Sequence, residues 1–466
     1  MRIALVASES NPFCKTGGLA DVVFSLAKEF VMKGHESIIV LPYYQSIKSR
    51  QIDGLVDAGS HQVDLSWRTH TAYYHKVVVD GVTFYFVEDD SYFGRENLYG
   101  YDDDGERFAF FSLASKALLE REDIRPDIVH VHDWQSAIMP LLFLKDGNSP
   151  LHWVKTVLTI HNPAFLGLID EHGLWELFNL PTYEHERDAV RVYGKASTLL
   201  AGIRFASKIT TVSPTHAEEL RQYNAYQIGD ALVSRGEDFL GIVNGVDYDE
   251  FDPSKDPLIA EHYNLKTVKK AKKACKNALF KEFGFEPQEG PLFVLVSRLY
   301  EQKGIPLVLA CIPHIVEMGG SLLILGSGEA DYVNAIKYYA SVYPGRIGIY
   351  EGYSKKIAHA CYAGGDFFLM PSLFEPCGIS QMIAQRYCCL PVARNTGGLH
   401  DTIAHMQDGV LFNDYDEGGL RYGIDEAFRI YSDPELMQTM LKQAYHRDHS
   451  WSKSAASYLK LFESLK

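Results

Sequence analysis

Short apolar runs recur along the chain, separated by stretches whose apolar positions step by three and four. The runs are IALVA (3–7), SIIVLP (37–42), DIVHVH (127–132), VLTIH (157–161), ITTVS (209–213), LFVLVS (292–297), SLLILG (321–326), IGIYEG (347–352), FFLMPS (367–372) and LPVAR (390–394). Apolar at successive positions, they predict strands buried on both faces, as parallel strands covered by helices are. After the first run, Leu19, Val22, Val23, Leu26 and Phe30 fall at i, i+3, i+4, i+7 and i+11, which predicts an amphipathic helix. Strand–helix alternation on this scale predicts an α/β protein with parallel sheets.

The rhythm breaks at NGVDYDEFDPSKDP (244–257), rich in turn formers and acids, and restarts near residue 290. This predicts two Rossmann-like, doubly wound domains, 1–247 and 248–450, with a cleft between them. The lysine-rich stretch LKTVKKAKKACKNALFKEF that follows the break is read as the solvated face of a helix packed on the second sheet, or as an anion surface. The internal echo is short: TGGLAD at 16–21 and TGGLHD at 396–401.

Composition narrows the classes. A chain of 466 residues with 46% hydrophobic content fills more than one domain. Its net charge of −15 argues against a nucleic-acid partner, and an anionic small ligand would need local cations. Seven cysteines, an odd number without a CxxC pair, point to reduced thiols in a cytoplasm-like compartment. The apolar stretch at the N-terminus is too short for a secretory signal core, and no run of eighteen apolar residues predicts a membrane span.

Four constellations carry chemistry. In FCKTGGLADVV (13–23), Lys15, Gly17 and Gly18 lie between a predicted strand and a predicted helix. Glycines there let backbone approach a ligand and leave N–H groups to face it, and the lysine adds positive charge. The pattern is neither GxxxxGK[ST] nor GxGxxG, and alone it equally describes a turn with a surface lysine. In VSRLYEQKG (296–304), Arg298 and Lys303 follow a strand and suit a diphosphate, or are two solvated loop cations. In PSLFEPCGISQMIAQ (371–385), Glu375 precedes a Pro-Cys-Gly turn that opens a helix, whose amides near Cys377 and Gly378 are partially positive. A carboxylate there suits a sugar ring or charge developing at an anomeric carbon, and by itself also a helix cap. Finally, VHVHDWQSA places His132, Asp133 and Trp134, and TIHNPAFLG places His161 and Asn162, at strand ends, where His161 is either a satisfied core histidine or, beside Asn162, a ligand contact. The tyrosine-rich stretch 91–111 fits either a sugar-stacking surface or ordinary aromatic packing.

KTGGLADV, HVHDWQS, TIHNPAF, TVSPTHAEE, GIVNGVD, VSRLYEQKG, GYSKKIAHACYAGGDFFLMPSLFEPCGISQ and NTGGLHDTI stand in the order and spacing of bacterial glycogen synthases and plant starch synthases. The chain resembles that family, glycosyltransferase family 5, over essentially its whole length. The resemblance implies the two-Rossmann architecture called GT-B, with a C-terminal helix within 451–466 crossing back to the first domain. It implies transfer of glucose from ADP-glucose to the 4-hydroxyl at the non-reducing end of an α-1,4-glucan, with retention and without a metal or other cofactor. The partners implied are ADP-glucose or ADP and glycogen or maltooligosaccharides, not nucleic acid or a membrane. The location implied is a bacterial cytoplasm, with a plastid stroma as alternative.

Carried over by position, Lys15, Gly17, Gly18 and Asp21 approach the diphosphate and the incoming glucose. Arg298 and Lys303 hold the diphosphate and stabilise the departing ADP. Glu375, His161 with Asn162, and Asn244 neighbour the glucose, and Cys377 and Gly378 present helix-end amides to it. Asp133 borders the acceptor, Tyr353 the adenine, and Thr396, Gly397 and Gly398 the phosphates. Lys15, His161, Arg298, Lys303 and Glu375 form the catalytic group.

The sequence departs from the family pattern at Leu373, where arginine is usual, at Pro163 and Phe165 of HNPAF, at Ser380, and at Ile383, where related transferases often place a second glutamate. A retaining glycosidase would need two carboxylates about 5–5.5 Å apart, and no obvious second one is present. A related transferase using UDP-glucose or another acceptor remains open. A non-catalytic glucan-binding protein predicts loss of the cation pair or of Glu375, and both are present. Nothing in the sequence makes a case for a lysine-bound pyridoxal phosphate. The two-domain cleft predicts closure on substrate, bringing Lys15 and Glu375 to one sugar.

Overall fold

A computed structural model of the chain describes residues 1–178, 180, 188–222 and 225–466. They form two units, Met1–Ile242 with Trp451–Lys466, and Val243–Ser450.

The first unit is built on nine strands. In chain order these are β1 (Arg2–Val6), β2 (Glu36–Pro42), β3 (Val56–Leu65), β4 (Arg68–Val79), β5 (Val82–Glu88), β6 (Ile128–His132) and β7 (Lys155–Ile160). After a small antiparallel sheet of β8 (Leu168–Ile169), β9 (Arg191–Val192) and β10 (Lys195–Ser197) come β11 (Lys208–Thr211) and β12 (Phe239–Gly241). The main sheet runs β12-β11-β7-β6-β1-β2-β5-β4-β3. It is parallel from β12 to β5 and antiparallel from β5 through β3. Ile3 to Val6, Val129, Val131, Val157, Leu158 and Ile160 have no exposed surface, as continuous apolar runs require. Leu19, Val22, Val23, Leu26 and Phe30 are all buried on one face of the helix Leu19–Met32. That helix meets the C-terminal helix Trp451–Glu463, where the Phe30 and Phe462 rings pack edge to face 5.6 Å apart.

The hairpins β3–β4 and β4–β5 are absent from the list of apolar runs. β3 is mostly exposed and polar, so it has no continuous apolar run to reveal it. The β4–β5 turn is Asp80-Gly81, both at positive φ, the Asp-Gly signature of a type I′ hairpin.

The second unit carries an all-parallel six-stranded sheet, β15-β14-β13-β16-β17-β18. Its strands are β13 (Leu292–Val296), β14 (Ser321–Gly326), β15 (Ile347–Glu351), β16 (Phe367–Met370), β17 (Leu390–Arg394) and β18 (Val410–Phe412). The basic stretch before it forms the helix Val268–Glu282, and its lysines divide. Lys269, Lys270 and Lys273 are solvated, but Lys272 and Lys276 are buried. Lys272 Nζ donates to the carbonyls of Ala363 and Tyr387, each at 3.0 Å. These are the C-terminal ends of the helices Lys355–Gly364 and Ser380–Arg386, where orphan carbonyls favour a cation. Lys276 pairs with Asp366 at 2.7 Å. The expectation of one wholly solvated basic face is therefore corrected.

In the parallel part of each sheet the strand order reverses at one strand, β1 in the first unit and β13 in the second. Ligands of doubly wound sheets bind beyond the carboxyl ends of the strands at such a reversal. The loop carrying Lys15 follows β1, and the loop carrying Arg298 and Lys303 follows β13. Among the described residues no helix is long and apolar enough to cross a membrane.

Candidate active site

In the first unit the KTGG loop folds over a carboxylate that sequence reasoning missed. Glu9, almost fully buried just past β1, accepts from the Thr16 N–H, from the Thr16 hydroxyl at 3.1 Å and from the Gly17 N–H at 3.4 Å. So the Gly17 amide serves the loop itself, and the expectation that it faces a ligand is corrected. The glycines do leave space: a Cβ on Gly17 or Gly18 would meet no atom within 4 Å. Lys15 Nζ lies 2.7 Å from Asp21 Oδ2, and Asp21 also accepts from the Asn11 amide. Asp21 thus holds the head of the lysine side chain. The signal for Glu9 was available, an acid in the small-residue run ASES directly after a buried strand.

At the ends of β6 and β7, Asp133 adopts φ +53°, a left-handed conformation that side chains rarely take. There its Oδ1 accepts from the backbone N–H of His161 at 2.7 Å and of Asn162 at 3.2 Å. Burial drives the Asp133 carboxyl up to about 7 against those two hydrogen bonds. His161 is partly exposed, and its Nε2 lies 3.0 Å from Nδ1 of His132. The His132 ring is 4.1 Å from that of His130, whose Nε2 lies 2.6 Å from the Thr159 hydroxyl. Desolvation lowers all three histidines, His130 and His161 to about 3, so they are neutral at pH 7. His161 is therefore a polar neutral group tied to a buried imidazole row, and Asp133 is the residue that sets its backbone.

In the second unit Lys303 closes a one-turn helix, Glu301–Lys303. Gly304 follows at φ +72°, and a Cβ there would stand 2.0 Å from the Pro371 carbonyl oxygen. Glycine alone allows this contact, which brings the lysine loop against the loop after β16. Lys303 Nζ lies 2.6 Å from Glu375 Oε2, and the Ser372 hydroxyl donates to the same oxygen at 3.1 Å. Gln302 holds the two loops together: its carbonyl accepts from Leu373 N–H at 2.8 Å and its amide donates to Phe374 O at 3.3 Å. The Leu373 side chain is exposed, and the Arg394 guanidinium binds the Leu373 carbonyl.

Beside the pair is a cavity of about 220 Å³, lined by Arg298, Lys303, Ser372, Ser380 and the ends of β13 and β16. Arg298 itself is exposed and, among the described residues, paired with no carboxylate. Gly398 N–H donates to the Glu375 carbonyl at 3.0 Å, and a Cβ on Gly398 would stand 2.2 Å from Cys377 O. The second TGGL string thus packs directly under the Glu375 loop, after Thr396 and Gly397. Gly378 is at φ +70°, and the helix begins only at Ser380, two positions later than the expectation for Cys377 and Gly378. Cys377 is buried, its thiol pushed up to about 12, with Asn244 backbone against it. Asn244 accordingly belongs to the second unit, outside the first domain in which the sequence placed it. Tyr353 is exposed and does not line the cavity. Sequence reasoning missed Gln302 and Ser372, which lie beside the residues it named.

Two doubly wound units with a cation pair, a carboxylate and glycine-rich turns beyond the switch strands define a GT-B glycosyltransferase. Residues 2–233 match the model of the starch synthase catalytic domain, and residues 290–428 that of glycosyl transferases group 1. A glycogen synthase of Clostridium perfringens is 38% identical over all of this chain and 98% of its own, and one of Anoxybacillus flavithermus 37% over the same shares. Among solved structures, the catalytic domain of starch synthase IV from Arabidopsis thaliana, bound to ADP and acarbose, matches with TM-score 0.88 and 30% identity over 99% of each chain. A sucrose-phosphate synthase from Thermosynechococcus elongatus, 17% identical with TM-score 0.65 over 100% of this chain and 98% of its own, shares the fold. The chain belongs to the glycogen and starch synthase family of glycosyltransferases.

Proposed function

We infer that the protein transfers the glucosyl group of ADP-glucose to the 4-hydroxyl at the non-reducing end of an α-1,4-glucan, retaining the anomeric configuration. The observation that carries this is the Lys303–Glu375 pair at the rim of the cavity that Arg298 also lines. A diphosphate entering that cavity meets two cations in a protein of net charge −15, and Lys303 can exchange part of its bond to Glu375 for a phosphate oxygen.

In this reading the C1–oxygen bond to the diphosphate breaks as a bond from C1 to the acceptor O4 forms on the same face. The acceptor proton passes to the departing phosphate oxygen, and ADP leaves. Arg298 and Lys303 neutralise the charge that develops on that oxygen, and Glu375 faces the positive charge at the sugar ring. No second carboxylate is assigned, since Ile383 stands where one would be expected and is buried. His161, held neutral, contributes its backbone carbonyl and a polar ring to the glucose, with Asn162 beside it and Asp133 setting their position. Lys15 and Asp21 serve the donor, with Gly17 and Gly18 giving it close approach. Asn244, Cys377, Gly378, Thr396, Gly397 and Gly398 shape the donor side, and Tyr353 stacks the adenine. No step is assigned to a metal or other cofactor. Seven buried free thiols accord with a reducing compartment such as a bacterial cytoplasm.

The test is glucose incorporation into glycogen from ADP-glucose and UDP-glucose in parallel, with Lys303→Ala and Glu375→Ala as controls. Preference for ADP-glucose, lost in both variants, is the expected result. Preference for UDP-glucose would keep the mechanism and overturn the donor. No incorporation from either would overturn the reading.

A further inference from the structure

A second cavity of the second unit, about 670 Å³, shares no residue with the one at Arg298 and Lys303. It lies past the carboxyl ends of β17 and the edge strand β18, against the start of the helix Glu417–Ser432. Its size falls in the range of small-molecule sites. Its chemistry is specific. No lysine or arginine lines it, so an anion finds no counter-charge there. Among the described residues no group of three His, Cys, Asp or Glu is placed to hold a metal ion.

What lines it is an oriented set of amide and imidazole groups beside two carboxylates, Asp414 and Asp416. Asn395 Oδ1 can only accept, so His400 Nδ1, 2.7 Å away, carries a proton, and in the neutral ring Nε2 is the acceptor. Asn395 Nδ2 donates to Asn413 Oδ1 at 2.9 Å, which leaves the Asn413 amide hydrogens as donors. His405 is set the opposite way: its Nδ1 accepts from Leu411 N–H at 3.1 Å, so its Nε2 bears the proton. The lining thus carries donors on Asn413 and His405 together with acceptors on His400 and Asp414. The neighbouring Asp416 is already committed, capping Gly419 N–H at 2.8 Å. Tyr422 completes the lining with a ring that is 45% exposed.

Each hydroxyl of a sugar both donates and accepts, and a pyranose has an apolar C–H face. Paired donors and acceptors beside a half-exposed aromatic ring match both properties. We propose that this cavity is a second carbohydrate site, holding a neutral oligosaccharide segment of the α-glucan away from the reacting end. This rests on the glucan being the acceptor. A second hold on a polymer raises its effective concentration at the first, without any change at the reacting bond. Short acceptors, which cannot span two sites, gain nothing from it.

The experiment uses the full chain and the variants Tyr422→Ala, Tyr422→Phe and Asn413→Ala, all at exposed positions, with matched thermal midpoints as the folding control. Native affinity electrophoresis in glycogen gels reads binding, and glucose incorporation onto maltotriose and onto glycogen reads transfer. Tyr422→Ala and Asn413→Ala are expected to weaken glycogen retention on the order of tenfold and to raise KM for glycogen in step. Tyr422→Phe keeps the ring and retains binding, and kcat and KM with maltotriose hold in all three. Should Tyr422→Ala fail to fold, Asn413→Ala carries the same test. Unchanged retention in both Tyr422→Ala and Asn413→Ala, with an active wild type, overturns the site and leaves the function standing. A wild type that is retained by glycogen through Tyr422 but incorporates no glucose overturns the function and supports the site. A wild type neither active nor retained overturns both.

Discussion

Lys303 Nζ and Glu375 Oε2 stand 2.6 Å apart, with side chains only 17% and 9% exposed. Each is the other's main counter-charge until a substrate arrives. A buried carboxylate stripped of its cation is costly, about 3–5 kcal/mol in comparable cases. Lys303→Ala is therefore expected to lower stability as well as transfer, the latter by about 10²–10³ in kcat. The double variant Lys303→Met, Glu375→Gln recovers most of the stability and none of the turnover. Urea unfolding and initial rates on the three proteins separate the two effects.

Gly304 is fixed by φ +72° and by the Pro371 carbonyl oxygen 2.0 Å from where a Cβ would be. Gly304→Ala must shift the loop after β16, and with it Glu375 and Ser372. The expected result is a loss of about 1–3 kcal/mol in stability together with a fall in kcat. Retained wild-type kcat would show that the loop spacing is not set by this contact.

Asp133 and the three histidines make opposite demands on pH. Asp133 is raised to about 7 in the folded protein, so its contribution is complete below its unfolded value and is lost as pH rises through 7. His130, His132 and His161 are lowered, so theirs is complete above pH 6.5 and is lost as pH falls towards 3. Between about pH 4.5 and 6 the unfolded chain binds three protons on these groups and the folded chain one, so their net effect makes stability rise with pH. Asp133→Asn removes the opposing proton and steepens that rise by about 1.4 kcal/mol per pH unit. Unfolding free energies of both proteins across this window check the sign as well as the size.

All seven thiols are buried and free, and desolvation raises several of them, Cys388 to about 11 and Cys14, Cys311, Cys377 and Cys389 to about 12. A thiol-specific reagent at pH 8 is expected to label none in the native protein and all seven in denaturant. Rapid native labelling of Cys377 would show that the Glu375 loop opens readily.

Much of the fold was legible because parallel strands buried on both faces are continuous apolar runs. Each of the ten runs named from the sequence coincides with a strand of one of the two main sheets. The β3–β4 pair escaped because a half-solvated antiparallel strand such as VDAGSHQVDL carries little apolar signal. The rings of the tyrosine-rich stretch divided by depth. Tyr92, Phe93, Phe108, Phe110 and Phe111 are core residues, and the fully buried Arg107 lies over the Phe93 and Phe108 rings. Burial of that kind depends on neighbours distant in sequence, and no local pattern announces it.

The sequence by itself determined which residues follow the strand ends, because strand periodicity and turn composition are local. It placed Lys15, His161, Arg298, Lys303 and Glu375 at loops where doubly wound sheets bind ligands. Only the tertiary structure decided how those residues are occupied. It set Lys303 against Glu375 across 72 positions of chain, Glu9 beneath the KTGG loop, and Lys272 under two helix ends. It also gave Asp133 a proton affinity near neutrality. These are consequences of desolvation and of contacts between distant segments, and such quantities exist only once the chain is folded.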